Sequence, residues 1–308
     1  MPSLSPRQGT YSIVARDLDT GMLGVAVQSH WFSVGAIVSW AEPGVGAVAT
    51  QSVVEVSYGP NALELMRAGA APDEALAQLV AADPIAEGRQ VAVIGADGRV
   101  AIHTGASCIP FAGHAAGEQV CCQANMMASE TVWPAMLAAY HASAGAPFAQ
   151  RLLAALDAAE AEGGDVRGRQ SAALLVVPAD GPHWETAVSL RVEDHPEPLS
   201  ELRRLLVLHD AYALADQGDE LSGLGRHDEA AALYRRAAEL APQSDELRFW
   251  AGVGAAQAGD LDTAVQDVRA AIAIHPGWRD LLGRIPPEFA PAAPDVLARL
   301  NQSDGRAD

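Results

Sequence analysis

The pair Gly9-Thr10, at the head of a β-rich run, is where this chain most clearly offers chemistry. A threonine exposed as the first residue of a chain carries its own general base. Its α-amino group titrates near ~7.7–8.0, against ~10.4 for a lysine. One residue then supplies both nucleophile and base. Nine residues precede Thr10 in this sequence, so the chemistry requires cleavage of the Gly9–Thr10 bond, and Gly9 has no side chain to obstruct attack on its carbonyl. Ser12 is an alternative nucleophile, but a mid-strand serine has no attached amine. Asn125 is a candidate oxyanion donor, because an amide N–H can be aimed at a developing tetrahedral oxygen without titrating; the alternative is a structural amide. Gln51 and Ser52 end an apolar strand, where polar groups either line a pocket or meet solvent.

Gly163 and Gly164 permit a tight loop that presents Asp165, Arg167, Gln170 and Ser171. Arg167 has two readings there. It orients an N-terminal amine or grips a substrate carboxylate with its planar fork, or it closes a loop-fixing salt bridge with Asp165. Asp17 reads as a turn-capping acid. Cys121 and Cys122 with His114 suggest a thiol nucleophile, but nothing in the sequence stabilises a thiolate, and they read as small buried cysteines.

These residues need elements to hold them. Thr10 to Asp17 and Met22 to Ser29 are two β-rich runs around a polar turn, a hairpin with Thr10 near its start. Ser12, Val14 and Arg16 fall on the same side of that strand as Thr10. Ala36–Trp40 and Val45–Val54 read as further strands, residues 60–82 as two helices broken around Gly69–Pro72, and Gln90–Gly95 with Val100–Thr104 as a hairpin that opens a second sheet. Residues 129–160 read as a helix pair split near Gly145-Ala146-Pro147, and strands return at Ala172–Val177 and Ala187–Val192. Strands alternating in blocks with helices predict an α+β fold, a four-layer α/β/β/α sandwich with the helices outside two sheets.

Beyond about residue 212 the chain turns to Ala-rich helices with an internal repeat. Gly225 and Gly259, Asp228 and Asp262, Ala230 and Ala264, Ala237 and Ala271, and Pro242 and Pro276 all pair at one offset. That offset, 34 residues, is the tetratricopeptide length, and residues 209–284 resemble two such repeats. Two units are fewer than the three such arrays usually need, so docking on the larger domain or on another subunit is expected, with a protein partner or self-association through the repeats. Residues 285–308 read as a Pro/Ala-rich tail with a short helix and a frayed end.

Composition narrows the classes. With 20 Lys+Arg against 39 Asp+Glu the net charge is -19, which disfavours nucleic acid as a partner. Three cysteines without CxxC spacing encode neither a disulfide scaffold nor a zinc ribbon, and a reducing compartment fits. Met1 to Gly9 lack a signal-like apolar run and no long apolar span follows, so a cytoplasmic chain without a membrane partner is expected.

The runs Thr10-Tyr-Ser-Ile-Val-Ala-Arg-Asp, Gly24-Val-Ala-Val-Gln-Ser, Gly44-Val-Gly-Ala-Val-Ala-Thr-Gln-Ser, Tyr58-Gly-Pro and Gly163-Gly-Asp-Val-Arg-Gly-Arg-Gln-Ser-Ala-Ala-Leu resemble domain-of-unknown-function family 1028. The likeness covers roughly residues 10–208. It implies the αββα sandwich of N-terminal-nucleophile (Ntn) hydrolases and suggests hydrolysis of an amide bond without metal or cofactor. Resemblance to proteasome-type enzymes would place Ser29 and His30 beside the nucleophile and make them active-site groups. Members more often carry Arg or Lys next to that serine, read Gln-Gly-Asn where this chain has Gln123-Ala124-Asn125, and usually begin Met-Thr. The expected function is therefore an amidohydrolase acting on a small amide, lactam or short peptide. The alternative is a non-catalytic Ntn-fold protein that binds or assembles through its repeats.

Overall fold

The computed structural model describes residues 9–304. Residues 1–8, which with Gly9 were read for a signal pattern, and residues 305–308, the end of the expected tail, lie outside the described residues. The chain divides into two compact units, one ending at Arg203 and one starting at Arg204. The division falls inside helix α6 (Pro198–Gly223), earlier than the expected boundary at residue 208.

Among the described residues, the first unit holds ten strands in two antiparallel sheets. β1 (Thr10–Arg16) and β2 (Leu23–Ser29) form the expected hairpin. They sit at the centre of a six-stranded sheet with β7 (Gly113–Gly117), β8 (Val120–Asn125), β9 (Ser171–Val177) and β10 (Val188–Val192), in the order β10-β9-β2-β1-β8-β7. The other sheet runs β3-β4-β5-β6, built from Ser39–Glu42, Gly46–Ser52, Arg89–Gly95 and Val100–Thr104. The β5–β6 hairpin therefore does not open a sheet; β5 pairs with β4 along its whole length and extends a sheet begun at β3.

Two further differences have local causes. Ala36–Trp40 is not one strand: a short helix α1 (Gly35–Val38) precedes β3, because Ser33 takes a positive φ of 57° and Val34 N–H is held by Ser171 Oγ at 3.0 Å. The β7–β8 pair escaped the sequence reading because β7 is Gly-His-Ala-Ala-Gly, without branched or aromatic residues, and its turn places Gln119 at positive φ in place of an Asn-Gly signal.

α4 (Val132–Ala142) and α5 (Phe148–Ala161) pack on the six-stranded sheet, and α2 (Tyr58–Arg67) and α3 (Pro72–Ala82) pack on the four-stranded one. The two sheets face each other through β1, β2 and β8 on one side and β4 and β5 on the other. The pleat sorts side chains by alternation. Val48, Val91 and Val93 point to the helices with Tyr58, Leu63 and Leu76, whereas Ala47, Ala49, Ala92 and Ile94 meet Val14, Val25, Val27 and Cys121 between the sheets. Continuing that inter-sheet face toward the start of β1 brings Ser12 and Thr10, with Gln123 and Asn125 alongside on β8 and Gln51 and Gln90 opposite. The space between the sheets thus changes from apolar to polar along one direction.

The second unit is helical. α7 (His227–Leu240) and α9 (Leu261–Ile274) are 14 residues each and begin 34 residues apart, with α8 (Asp245–Gln257) between them. The repeated alanines Ala230, Ala237, Ala264 and Ala271 are all buried. The same offset relates two close approaches that the sequence pattern did not include: a Cβ at Gly218 would lie 2.7 Å from Tyr234, and one at Gly252 would lie 2.8 Å from Val268. α10 (Gly277–Leu282) ends the expected repeat segment and adds Leu282 to the core formed with α8 and α9, and the segment expected as a tail folds with this unit, α11 (Ala293–Asp304) placing Val296 and Leu300 in the same core. Among the described residues, no helix is long and apolar enough to cross a membrane.

Candidate functional site

Thr10 opens β1 opposite Ser29 of β2 on one side and Asn125 of β8 on the other. It is buried, with 3% of its surface exposed. Its Oγ1 donates to Ser29 Oγ at 3.0 Å, and Ser29 Oγ in turn donates to the carbonyl oxygen of Gly9. A second donor, Arg167 Nη2, reaches the same oxygen at 2.7 Å. Among the described residues, no His, Asp or Glu side chain hydrogen-bonds Thr10 Oγ1. The hydroxyl is thus linked through one serine to the carbonyl immediately before it.

The Gly163–Arg169 loop reaches this point because Asp165 forms a β-bridge with Met127, just past the end of β8. The Asp165 side chain is fully buried. It accepts from Arg167 N and Nε at 2.9 and 3.1 Å, from Arg167 Nη2 at 2.7 Å and from His30 N at 3.1 Å. Arg167 and Asp165 are therefore the ion pair anticipated from the sequence, and the same guanidinium also serves the Gly9 carbonyl. His30 joins through its backbone; its ring lies against Arg169 O at 3.2 Å.

Behind Thr10 lies a row of buried amides. Gln51 Nε2 donates to Thr10 O at 3.1 Å and to Gln90 Oε1 at 2.8 Å. Asn125 Nδ2 donates to Gln90 Oε1 at 3.1 Å and, at a long 3.5 Å, to Thr10 O. Ser12 Oγ donates to Gln51 Oε1 at 2.6 Å and accepts from Gln123 Nε2 at 3.2 Å, so Ser12 serves this network. Gln90 closes it by donating to Ala124 O and Gly113 O. The acceptor oxygens of Asn125 and Gln123 are buried without a partner. Gln90, the second residue of β5 and on the same face as Ala92 and Ile94, was missed by sequence reading.

The structure thus gathers Thr10, Ser29, Gln51, Asn125, Asp165 and Arg167, with His30 at the edge. Gln170 and Ser171 serve elsewhere. Ser52 ends β4 at a positive φ of 71° and is not among the hydrogen-bond partners of this row; the Cys108 thiol, which burial pushes up, donates to Arg89 O at 3.3 Å. Gln170 Nε2 donates to Asp194 at 3.1 Å, and Ser171 Oγ donates to Trp31 O while accepting from Val34 N. Asp17 caps its turn through Thr20 and also pairs with Arg151 at 2.8 Å. Burial raises the Cys121 thiol to about 12 and Cys122 well above its ordinary value, so neither is a thiolate at neutral pH. Tyr11, on the opposite face of β1, donates to Glu160; burial first and that carboxylate second raise its hydroxyl well above the usual phenol range.

Chemically, the arrangement polarises the Gly9 carbonyl with two donors and holds a hydroxyl in the same hydrogen-bonded row. Among the described residues, no three His, Cys, Asp or Glu side chains group so as to hold a metal ion.

The model of a family of unknown function, DUF1028, matches residues 10–202. A crystal structure of a Silicibacter pomeroyi protein assigned to that family is similar, with 31% identity and a TM-score of 0.58, over 64% of this chain and 88% of that one. Anbu, an ancestral β-subunit from Yersinia bercovieri, matches at 14% identity with a TM-score of 0.34, over 63% of this chain and 92% of its own. No curated protein matches the chain.

Proposed function

The chain belongs to the DUF1028 family, and from that premise we propose that it is an N-terminal-nucleophile amidohydrolase that acts on a small amide, lactam or short peptide through Thr10. The observation that carries the reading is the row Thr10 Oγ1, Ser29 Oγ, Gly9 O. It sets the hydroxyl beside the one peptide bond whose cleavage would free the Thr10 amine. With no acid or base side chain on Thr10 Oγ1 among the described residues, that amine is the natural base. The two facing sheets between helix pairs support the reading as an Ntn-hydrolase-like sandwich.

In the proposed cycle the freed amine takes the proton of Thr10 Oγ1 as the oxygen attacks the substrate carbonyl carbon. The tetrahedral oxygen is held by N–H and O–H donors, the C–N bond breaks as the amine's proton passes to the leaving nitrogen, and water then hydrolyses the acyl ester. Asn125 is placed to contribute, since its long 3.5 Å contact with Thr10 O leaves that N–H readily redirected. Ser29 is the hydroxyl bridge, and Gln51 fixes the Thr10 backbone.

Intact-mass spectrometry of the purified full chain tests this. The expected mass begins at Thr10, and Thr10→Ala should abolish both the cleavage and the hydrolysis of a panel of small amides while the melting temperature is retained. Active protein that still carries residues 1–9 would overturn the attached-base mechanism.

A second role attaches to the helical unit, whose 34-residue period resembles tetratricopeptide repeats. A groove of about 840 Å³ in this unit is lined by Tyr234, Trp250, Ile285 and Phe289, and Phe289 is 75% exposed. Such a surface supports the reading of a partner-binding or self-assembly module. Light scattering on the full chain should then give a mass above that of one chain.

A further inference from the structure

Self-cleavage of a peptide bond needs the carbonyl oxygen of that bond to be stabilised as it becomes an oxyanion. It also needs room for the residue that carries that carbonyl. Both requirements meet at Asp165 and Arg167. Arg167 Nη2 donates to Gly9 O at 2.7 Å, the same oxygen that accepts from Ser29. The guanidinium is held in that pose by its bonds to the buried Asp165 carboxylate, which is itself fixed by His30 N and Arg167 N. That carboxylate is packed against Gly9: a Cβ at residue 9 would lie 2.8 Å from both of its oxygens, a separation that carbon side chains essentially never show. Four donors hold the carboxylate, so it has no easy way to give ground.

We propose that Arg167 and Ser29 are the paired donors that stabilise the oxyanion formed at Gly9 O during cleavage of the Gly9–Thr10 bond, and that Asp165 positions Arg167 and restricts residue 9 to glycine. The proposal rests on the reading of Thr10 as an N-terminal nucleophile. In the step itself, Thr10 Oγ1 forms a bond to the Gly9 carbonyl carbon, the carbonyl π pair moves onto the Gly9 oxygen, and the Thr10 hydroxyl proton is relayed by Ser29 Oγ toward the Thr10 nitrogen. The Gly9 C–N bond then breaks, the nitrogen takes up that proton as the Thr10 amine, and Gly9 is left as an ester on Thr10. Water hydrolyses the ester to a Gly9 carboxylate and a free Thr10 hydroxyl. Arg167 is thereby assigned to a carbonyl, whereas its residue type alone had equally suggested a substrate carboxylate; its fork is already closed on Asp165.

The test follows loss of residues 1–9 by intact mass over time, from full-length chain made by cell-free synthesis, for the native sequence, Arg167→Lys, Arg167→Ala, Ser29→Ala and Gly9→Ala. Removing one oxyanion donor typically slows such a step by about 10²–10³-fold. Arg167→Ala and Ser29→Ala should therefore each slow cleavage by about that factor, Arg167→Lys less, and Gly9→Ala should block it. Arg167→Lys keeps a cation beside Asp165 and guards against an Ala variant that fails to fold, as do melting temperatures for every variant. Native chain that cleaves while folded Arg167→Lys and Arg167→Ala cleave at the native rate overturns the proposal but leaves the Thr10 reading standing. Cleavage of folded Gly9→Ala at the native rate overturns the role of Asp165. Native chain that never cleaves removes the Thr10 reading, and this proposal falls with it.

Discussion

At the scale of single residues, the site depends on a row of buried amides joined to one another by hydrogen bonds. Gln90 is the hub: its Oε1 accepts from Gln51 and Asn125, and its Nε2 donates to two backbone carbonyls. Those same two amides hold Thr10 O. Each buried polar group left without a partner costs about 1–3 kcal/mol, and truncation adds a cavity term. Gln90→Ala should accordingly lower unfolding stability by roughly 2–5 kcal/mol in urea titrations and slow the release of residues 1–9. Unchanged stability would mean that the network is not what fixes the start of β1. Sequence reading identified Thr10, Asn125 and Gln51 by type, but their partners were not legible, because a glutamine at the start of a strand looks the same whether it meets solvent or another amide.

At the scale of elements, the hairpins and helix pairs of the first unit follow from alternation and punctuation, and their junctions are secured by charged groups. Asp83, at the end of α3, accepts from Arg89 Nε of β5 at 2.7 Å, from Tyr58 of α2 at 3.2 Å and from Ile85 N at 2.9 Å. Burial alone would raise its carboxyl, but these donors outweigh it and hold the carboxyl below its ordinary value. The sign follows: a depressed acid stabilises the fold fully above the ordinary carboxylate pKa of about 3.9, and the contribution is lost as pH falls through the lowered value. Asp83→Asn should therefore destabilise at neutral pH and flatten the acid limb of a melting-temperature profile between about pH 5 and pH 2. A variant profile parallel to that of the native protein would show that the junction does not depend on this charge. β7 and β8 mark the opposite case, where pairing of β8 with β1 and of β7 with β8 makes strands of residues whose own preferences are weak.

At the scale of the whole molecule, the two units have separate cores. Val14, Val27, Ala49, Ile94 and Cys121 belong to one, and Phe249, Val268, Leu282 and Val296 to the other. All the gathered site residues precede Arg203, and the family match ends at residue 202. A chain ending at Asp210 should therefore fold, release residues 1–9 and turn over a small amide at the native rate, while any assembly seen by light scattering is lost. A truncated protein that folds but no longer cleaves would show that the helical unit takes part in the chemistry.

Several features were determined by the sequence alone: the β1–β2 hairpin, the broken helix pair at 60–82, the 34-residue period and the candidacy of Thr10. Each rests on interactions over a few residues or on a repeat visible in one dimension. Only the tertiary structure decided that Asn125, 115 residues away, reaches Thr10 O, that Arg167 turns to the Gly9 carbonyl, and that Gln170 and Ser171 turn elsewhere. It also decided that residues 285–304 belong to a packed unit. The physical reason is register. Which polar groups converge between two sheets depends on strand pairing and on how the two sheets face each other, and neither is encoded in any short stretch of chain.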